Sequence, residues 1–154
     1  MHTQDIVATR GIVTLYDADT KEVLVRSHNI MTENGGTLLA KLLVNDNAYR
    51  TGISYCALGT GASIPTVYQY ALDAEQVRAQ VTQRGATGHT AAIATFFTAA
   101  SCEMHVREAA LFGHTATHLP NTGLMFARAL LDYDNSTTPR NLMVGWEIPI
   151  TAAP

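Results

Sequence analysis

The chain has 154 residues, a formal net charge of −3 and 47% hydrophobic residues, with only 15% charged against the roughly 25% usual for globular domains. Its size and apolar content fit one domain with one core and exclude a disordered chain. A pI near 6.0 leaves no basic footprint for nucleic acid, no apolar run reaches the ~18 residues of a membrane-spanning helix, and no basic start with an apolar block marks a secretory signal.

Residues 5–16 and 22–28 are rich in Val, Ile, Leu and Thr around Asp17-Ala18-Asp19-Thr20-Lys21, which predicts a β-hairpin. The period then changes. Leu38, Leu39, Leu42 and Leu43 fall on one helical face with Lys41 opposite. Thr32 or Asn34 would cap the helix, and Asn45-Asp46-Asn47 would stop it. Strand character returns at Ile53-Ser54-Tyr55-Cys56-Ala57-Leu58, followed by Gly59-Thr60-Gly61 and a loop through Pro65. Residues 71–80 fit either a helix or an extended edge segment. A Gly-containing turn over 85–88 precedes a strand over 90–98, and runs at 105–113 and 123–133 flank the loop 114–122. In the closing run Leu142, Val144, Trp146, Ile148 and Ile150 share one face, so the first four are expected in the core. Pro149 implies an edge position or the strand's end. Short strands with one helix predict a mainly β fold, an antiparallel sandwich or barrel-like domain spanning residues 1–154.

Gly59-Thr60-Gly61 lacks the following helix and Lys-Ser/Thr of a phosphate cradle and reads as a tight turn. His114 and His118 stand i,i+4, a zinc spacing only on a helix, and here they lie in a polar loop. Asp17, Asp19 and Glu22 lack the calcium-loop pattern and read as an Asp-stabilised turn. Cys56 and Cys102 would bond only if their strands are neighbours; a cytoplasmic product keeps them reduced. There is no Gly-x-Ser-x-Gly elbow, and the Asn135-Ser136-Thr137 sequon carries no weight without a secretory signal. Glu108 and Arg128 interrupt two apolar runs. They sit either on a solvated face or paired across neighbouring strands, with a structural role. These readings predict no catalytic residue, no cofactor and no metal.

Three segments together resemble a family of small β-rich structural proteins of tailed bacteriophages. The first is Ile53–Gly61 with Pro65 and Ala71-Leu72. The second is Arg107-Glu108-Ala109-Ala110-Leu111-Phe112, similar to the family's Glu-Ala-Gly-Leu-Phe strand. The third is Gly123-Leu124-Met125-Phe126-Ala127-Arg128-Ala129 with Trp146-Glu147-Ile148-Pro149-Ile150. The similarity covers about residues 30–150. Ala110 departs from the usual Gly, and the His-rich loop 114–118 has no counterpart. The resemblance implies a virion protein made in the host cytoplasm. It points first to a capsid decoration (cement) protein that binds the major capsid protein as a homo-oligomer, a trimer by analogy, with no nucleic-acid or membrane partner. A tail-tip or fibre-base protein is the alternative, disfavoured by the chain ending at Pro154 after its last strand; a small carbohydrate-binding or hydrolase module comes third. Ile6 and Val7, ahead of the family-like region, are the residues expected to reach a neighbour.

Overall fold

The alternation at the end of the chain sets the architecture. Leu142, Val144, Trp146 and Ile148 are all at most 2% exposed, and the residues between them face outward. The computed structural model describes residues 7–8 and 10–152, with side chains described from 10 to 150. In chain order the strands are β1 (Val7–Ala8), β2 (Ile12–Asp17) and β3 (Val23–Met31), then helix α1 (Glu33–Leu43) and β4 (Ile53–Gly59). After a long loop come β5 (Glu75–Gln80), β6 (Gln83–Thr87) and β7 (Thr90–Phe97). The last four are β8 (His105–Gly113), β9 (Leu124–Asp134), β10 (Leu142–Pro149) and β11 (Thr151–Ala152).

Nine antiparallel strands form one sheet in the order β5-β4-β8-β9-β3-β2-β10-β7-β6, curled into a half-barrel. Two strands make the corners. β3 pairs with β2 through His28 and with β9 from Asn29 onward. At the other side β5 and β6 are consecutive: Val81 N donates to Ser54 O at 2.9 Å and Thr82 N to Ala94 O at 2.8 Å, which ties both ends of the sheet to one link. The mainly antiparallel β fold with one helix is therefore as the sequence predicts, and residues 75–80 take the extended edge form. The turn over 85–88 shrinks: residues 85–87 belong to β6, leaving Gly88 (φ +59°) and His89 between the strands.

The hairpin begins at Ile12, later than residue 5, because Val7 and Ala8 pair instead with Ala152 and Thr151. Ile6 lies outside the described residues. In the hairpin turn Asp17 accepts from the N–H groups of Asp19 (2.9 Å) and Thr20 (3.0 Å), and Arg140 lies 3.2 Å from both Asp17 and Glu22. The acidic cluster is thus an Asp-stabilised turn clamped by a cation from another loop.

Thr32 caps α1, accepting from Gly35 N at 3.0 Å while its hydroxyl donates to the Met125 carbonyl. The expected apolar stripe is only half used. Leu38 is fully buried, but Leu42 and Leu43 are 37% and 81% exposed. The helix seats its first turns, where a Cβ on Gly35 would lie 2.1 Å from Phe126 O, so its last turn projects beyond the sheet. Ile150 also departs from expectation. It is exposed because Pro149 ends the strand before it.

Both thiols are free and buried, Cys56 on β4 and Cys102 in a 3-10 turn (Ala99–Cys102). Burial pushes Cys56 up to about 12, with Trp146 and Thr95 beside it pulling weakly the other way. Burial also raises Cys102. Thiolate is the reactive form, so neither cysteine should label with a thiol reagent at pH 7.5 until denaturant is added. Rapid labelling of the native protein would contradict this packing.

Candidate interaction face

The outer face of β4, β8 and β9 carries a second, smaller apolar cluster: Ala57, Ala110, Phe112 and Met125, roofed by Leu72. Leu72 belongs to the loop over residues 60–74, which returns across the sheet between β4 and β5. A loop of that length has few apolar contacts of its own to hold it. Here two buried charges do so.

Glu108 on β8 and Arg128 on β9 are both fully buried. Arg128 Nη2 and Nε donate to Glu108 Oε2 at 2.9 and 3.1 Å, so the pair is bonded across neighbouring strands rather than solvated. The remaining valences go to the loop. Glu108 accepts from the N–H groups of Gly61 (3.0 Å), Asp73 (3.0 Å) and Ala74 (2.8 Å). Arg128 donates to Ser63 O (2.7 Å), Gln69 Oε1 (3.2 Å) and Asp73 Oδ2 (3.2 Å). This also accounts for Gly59-Thr60-Gly61. A Cβ on Gly59 would lie 2.5 Å from Glu108 Oε1 and from Ala74 O, and one on Gly61 2.3 Å from Asp73 Cβ. The glycines form a tight turn in which backbone approaches a carboxylate.

A second buried pair, missed in the sequence, secures the neighbouring loop. Arg78 and Glu75, both on β5, form two hydrogen bonds of 2.8 and 2.7 Å, and their side chains are 1% and 2% exposed. The Arg78 guanidinium sits 4.4 Å above the Phe112 ring and donates to the carbonyls of Thr117 (3.1 Å) and Thr122 (3.0 Å). An i,i+3 Glu-Arg pair in a strand places the partners on opposite faces by simple alternation, so pattern alone gives no hint of it.

The result is a charge-free display on a tethered loop. Residues 62–72 contain no Asp, Glu, Lys or Arg. Ile64, Tyr68 and Tyr70 are 74–79% exposed at the loop's outer side, and Leu119 is exposed on the adjoining loop. His114 does not form a metal pair with His118: its ring stacks on Tyr49 at 3.9 Å and its Nδ1 lies 2.9 Å from Ala48 O. Among the described residues no group of three or more His, Cys, Asp or Glu is arranged to hold a metal ion.

Three aspartates are held below the ordinary carboxylate range. The Thr20 N–H is the main cause for Asp17, the Ser63 hydroxyl for Asp73 and the Ser136 hydroxyl for Asp134. A carboxyl with a depressed folded pKa contributes stability that is present above its unfolded value, about 3.9, and lost as pH falls through the folded one. The melting temperature should therefore hold on acidification to about pH 4 and fall below it. A rise in melting temperature between pH 4 and pH 2 would contradict these hydrogen bonds.

Comparison with protein-family models gives no match, and neither the curated proteins nor the solved structures compared with the chain match it.

Proposed function

We infer that the protein is a structural component of a tailed-bacteriophage particle, a decoration protein that binds the outer capsid shell as a homo-oligomer, with a homotrimer favoured. The observation that carries this reading is the exposure of Ile64, Tyr68 and Tyr70 on a loop whose two ends are tied to Glu108 and Arg128. Fixing exposed aromatic side chains in advance lowers the entropy lost when a partner covers them. Tyrosine anchors with few charges around them match the chemistry of interface centres, from which Lys, Glu and Asp are depleted. The Gly-Thr-Gly turn, Glu108 and Arg128, which hold the loop, come from the three segments that resemble phage structural proteins, and Ile64, Tyr68 and Tyr70 lie between them.

The copy number per particle tests this reading. Quantitative mass spectrometry of purified virions should find hundreds of copies if the protein covers the shell. A handful would favour the tail-tip or fibre-base alternative, and absence from the particle would end the structural reading. Ile6 and Val7 are proposed to add to attachment. Removing residues 1–7 should leave a folded protein that co-sediments poorly with undecorated capsids, and equal co-sedimentation would remove this segment from the mechanism.

A further inference from the structure

On the opposite half of the sheet, no element among the described residues covers the outer face of β2, β10, β7 and β6, and strand register determines what it offers. Thr14 on β2, Gly145 on β10, Ala94 on β7 and Gln83 on β6 form one row across four neighbouring strands. Side chains in this row are small until Gln83 at its end, so the surface dips there. Tyr16 stands on one side of the dip and Glu147 on the other. They flank an open cleft of about 370 Å³. The Tyr16 ring leans over the glycine, since a Cβ on Gly145 would lie 3.2 Å from Tyr16 Cε2. Glu147 and Gln83 are exposed at the rim.

We propose that this cleft is a binding site for a short, uncharged carbohydrate chain. It combines a low floor of small residues, one half-exposed aromatic ring, and a planar carboxylate and amide at the rim. A pyranose has the complementary pattern. Its C–H face packs on an aromatic ring, while neighbouring hydroxyls around its edge bond to planar groups that can each take two hydrogen bonds. A purely apolar ligand would desolvate Glu147 and Gln83 without satisfying them. Arg84 also lines the cleft, but its guanidinium is turned to Thr51 O at 3.5 Å, so Glu147 at the rim still opposes a polyanion. Four strands span roughly 14 Å, enough for about two or three linked pyranose rings. The site stands apart from the loop face proposed to meet the capsid, and neither reading requires the other.

The test is calorimetric titration of the full chain with cellotriose, maltotriose and chitotriose. Saturable binding of at least one is expected. Tyr16→Ala should weaken that binding by about tenfold or more, a loss of the size expected for removing a stacking ring. Ala94→Leu should abolish it by filling the floor. Gln83→Ala lies on an exposed edge strand, where folding is not at stake, and should also weaken binding. Melting curves distinguish lost binding from lost folding. Failure of all three trisaccharides to bind, or binding untouched by Gln83→Ala and by whichever other variant folds, would overturn the proposal.

Discussion

Arg128→Ala is expected to destabilise the protein by about 3–5 kcal/mol, because it strands Glu108 inside the sheet's outer layer without its counter-ion. The guanidinium is fully buried and makes five hydrogen bonds, two to Glu108 and three to the loop. Its loss should also release the loop over residues 60–74, which lets water reach Glu108 and keeps the cost within that range. Two readings follow from one variant: a shifted urea midpoint and new protease cleavage between Gly61 and Asp73. Replacing both charges, as Glu108→Leu with Arg128→Met, should not restore stability. Buried ion pairs can often be exchanged for apolar residues at little cost, but here the N–H groups of Gly61, Asp73 and Ala74 would lose their acceptor. Each orphaned donor costs on the order of 1–3 kcal/mol. A double variant as stable as the parent would mean that the carboxylate does not organise the loop.

Trp146→Ala should cost a similar amount, about 3–5 kcal/mol, by a different mechanism. Trp146 is 1% exposed and lies between Val13 of β2 and Ile93 of β7 in the ladder, against the Cys56 thiol. Truncation opens a cavity at the centre of the half-barrel that its β-sheet walls cannot collapse to fill. Trp146→Phe separates volume from polarity. The indole N–H makes no well-formed hydrogen bond and meets only the Cys56 thiol beside it, so removing it sacrifices at most a weak contact, and the phenyl ring retains most of the packing. Phe should therefore be much milder than Ala. If Trp146→Ala melts within a degree or two of the parent, the inward face of β10 is wrongly assigned.

The parts of the fold legible in the sequence are those governed by short-range periodicity. Leu142, Val144, Trp146 and Ile148 announce a half-buried strand because alternate positions face one way. Thr32 announces a helix start because its side chain replaces a missing backbone partner. Leu42 and Leu43 mislead for the same reason. Periodicity records that a stripe exists, while the point where the supporting sheet ends is a tertiary fact. Gly59 and Gly61 are visible as a turn, but the reason for them is a carboxylate 47 residues further along the chain from Gly61. Glu108 and Arg128 stand out because charges inside apolar strands are costly unless paired. Their pairing across β8 and β9 follows once the two runs are neighbours. Asp73, Gln69 and Ser63, which complete the network, come from a loop whose path no local pattern encodes. The cleft around Gly145 depends on the register of four strands and is equally invisible to local reading.

The proposed attachment of this protein to a phage shell through its uncharged loop face can be tested by sedimenting undecorated capsids with the parent protein and with Tyr68→Ser/Tyr70→Ser. Both tyrosines are 74% exposed, so the double substitution should leave the melting temperature within a degree or two of the parent, as is usual for surface changes. The parent should pellet with the capsids and the double variant should stay largely in the supernatant. Equal pelleting of the two proteins, or a parent that does not pellet at all, would contradict it.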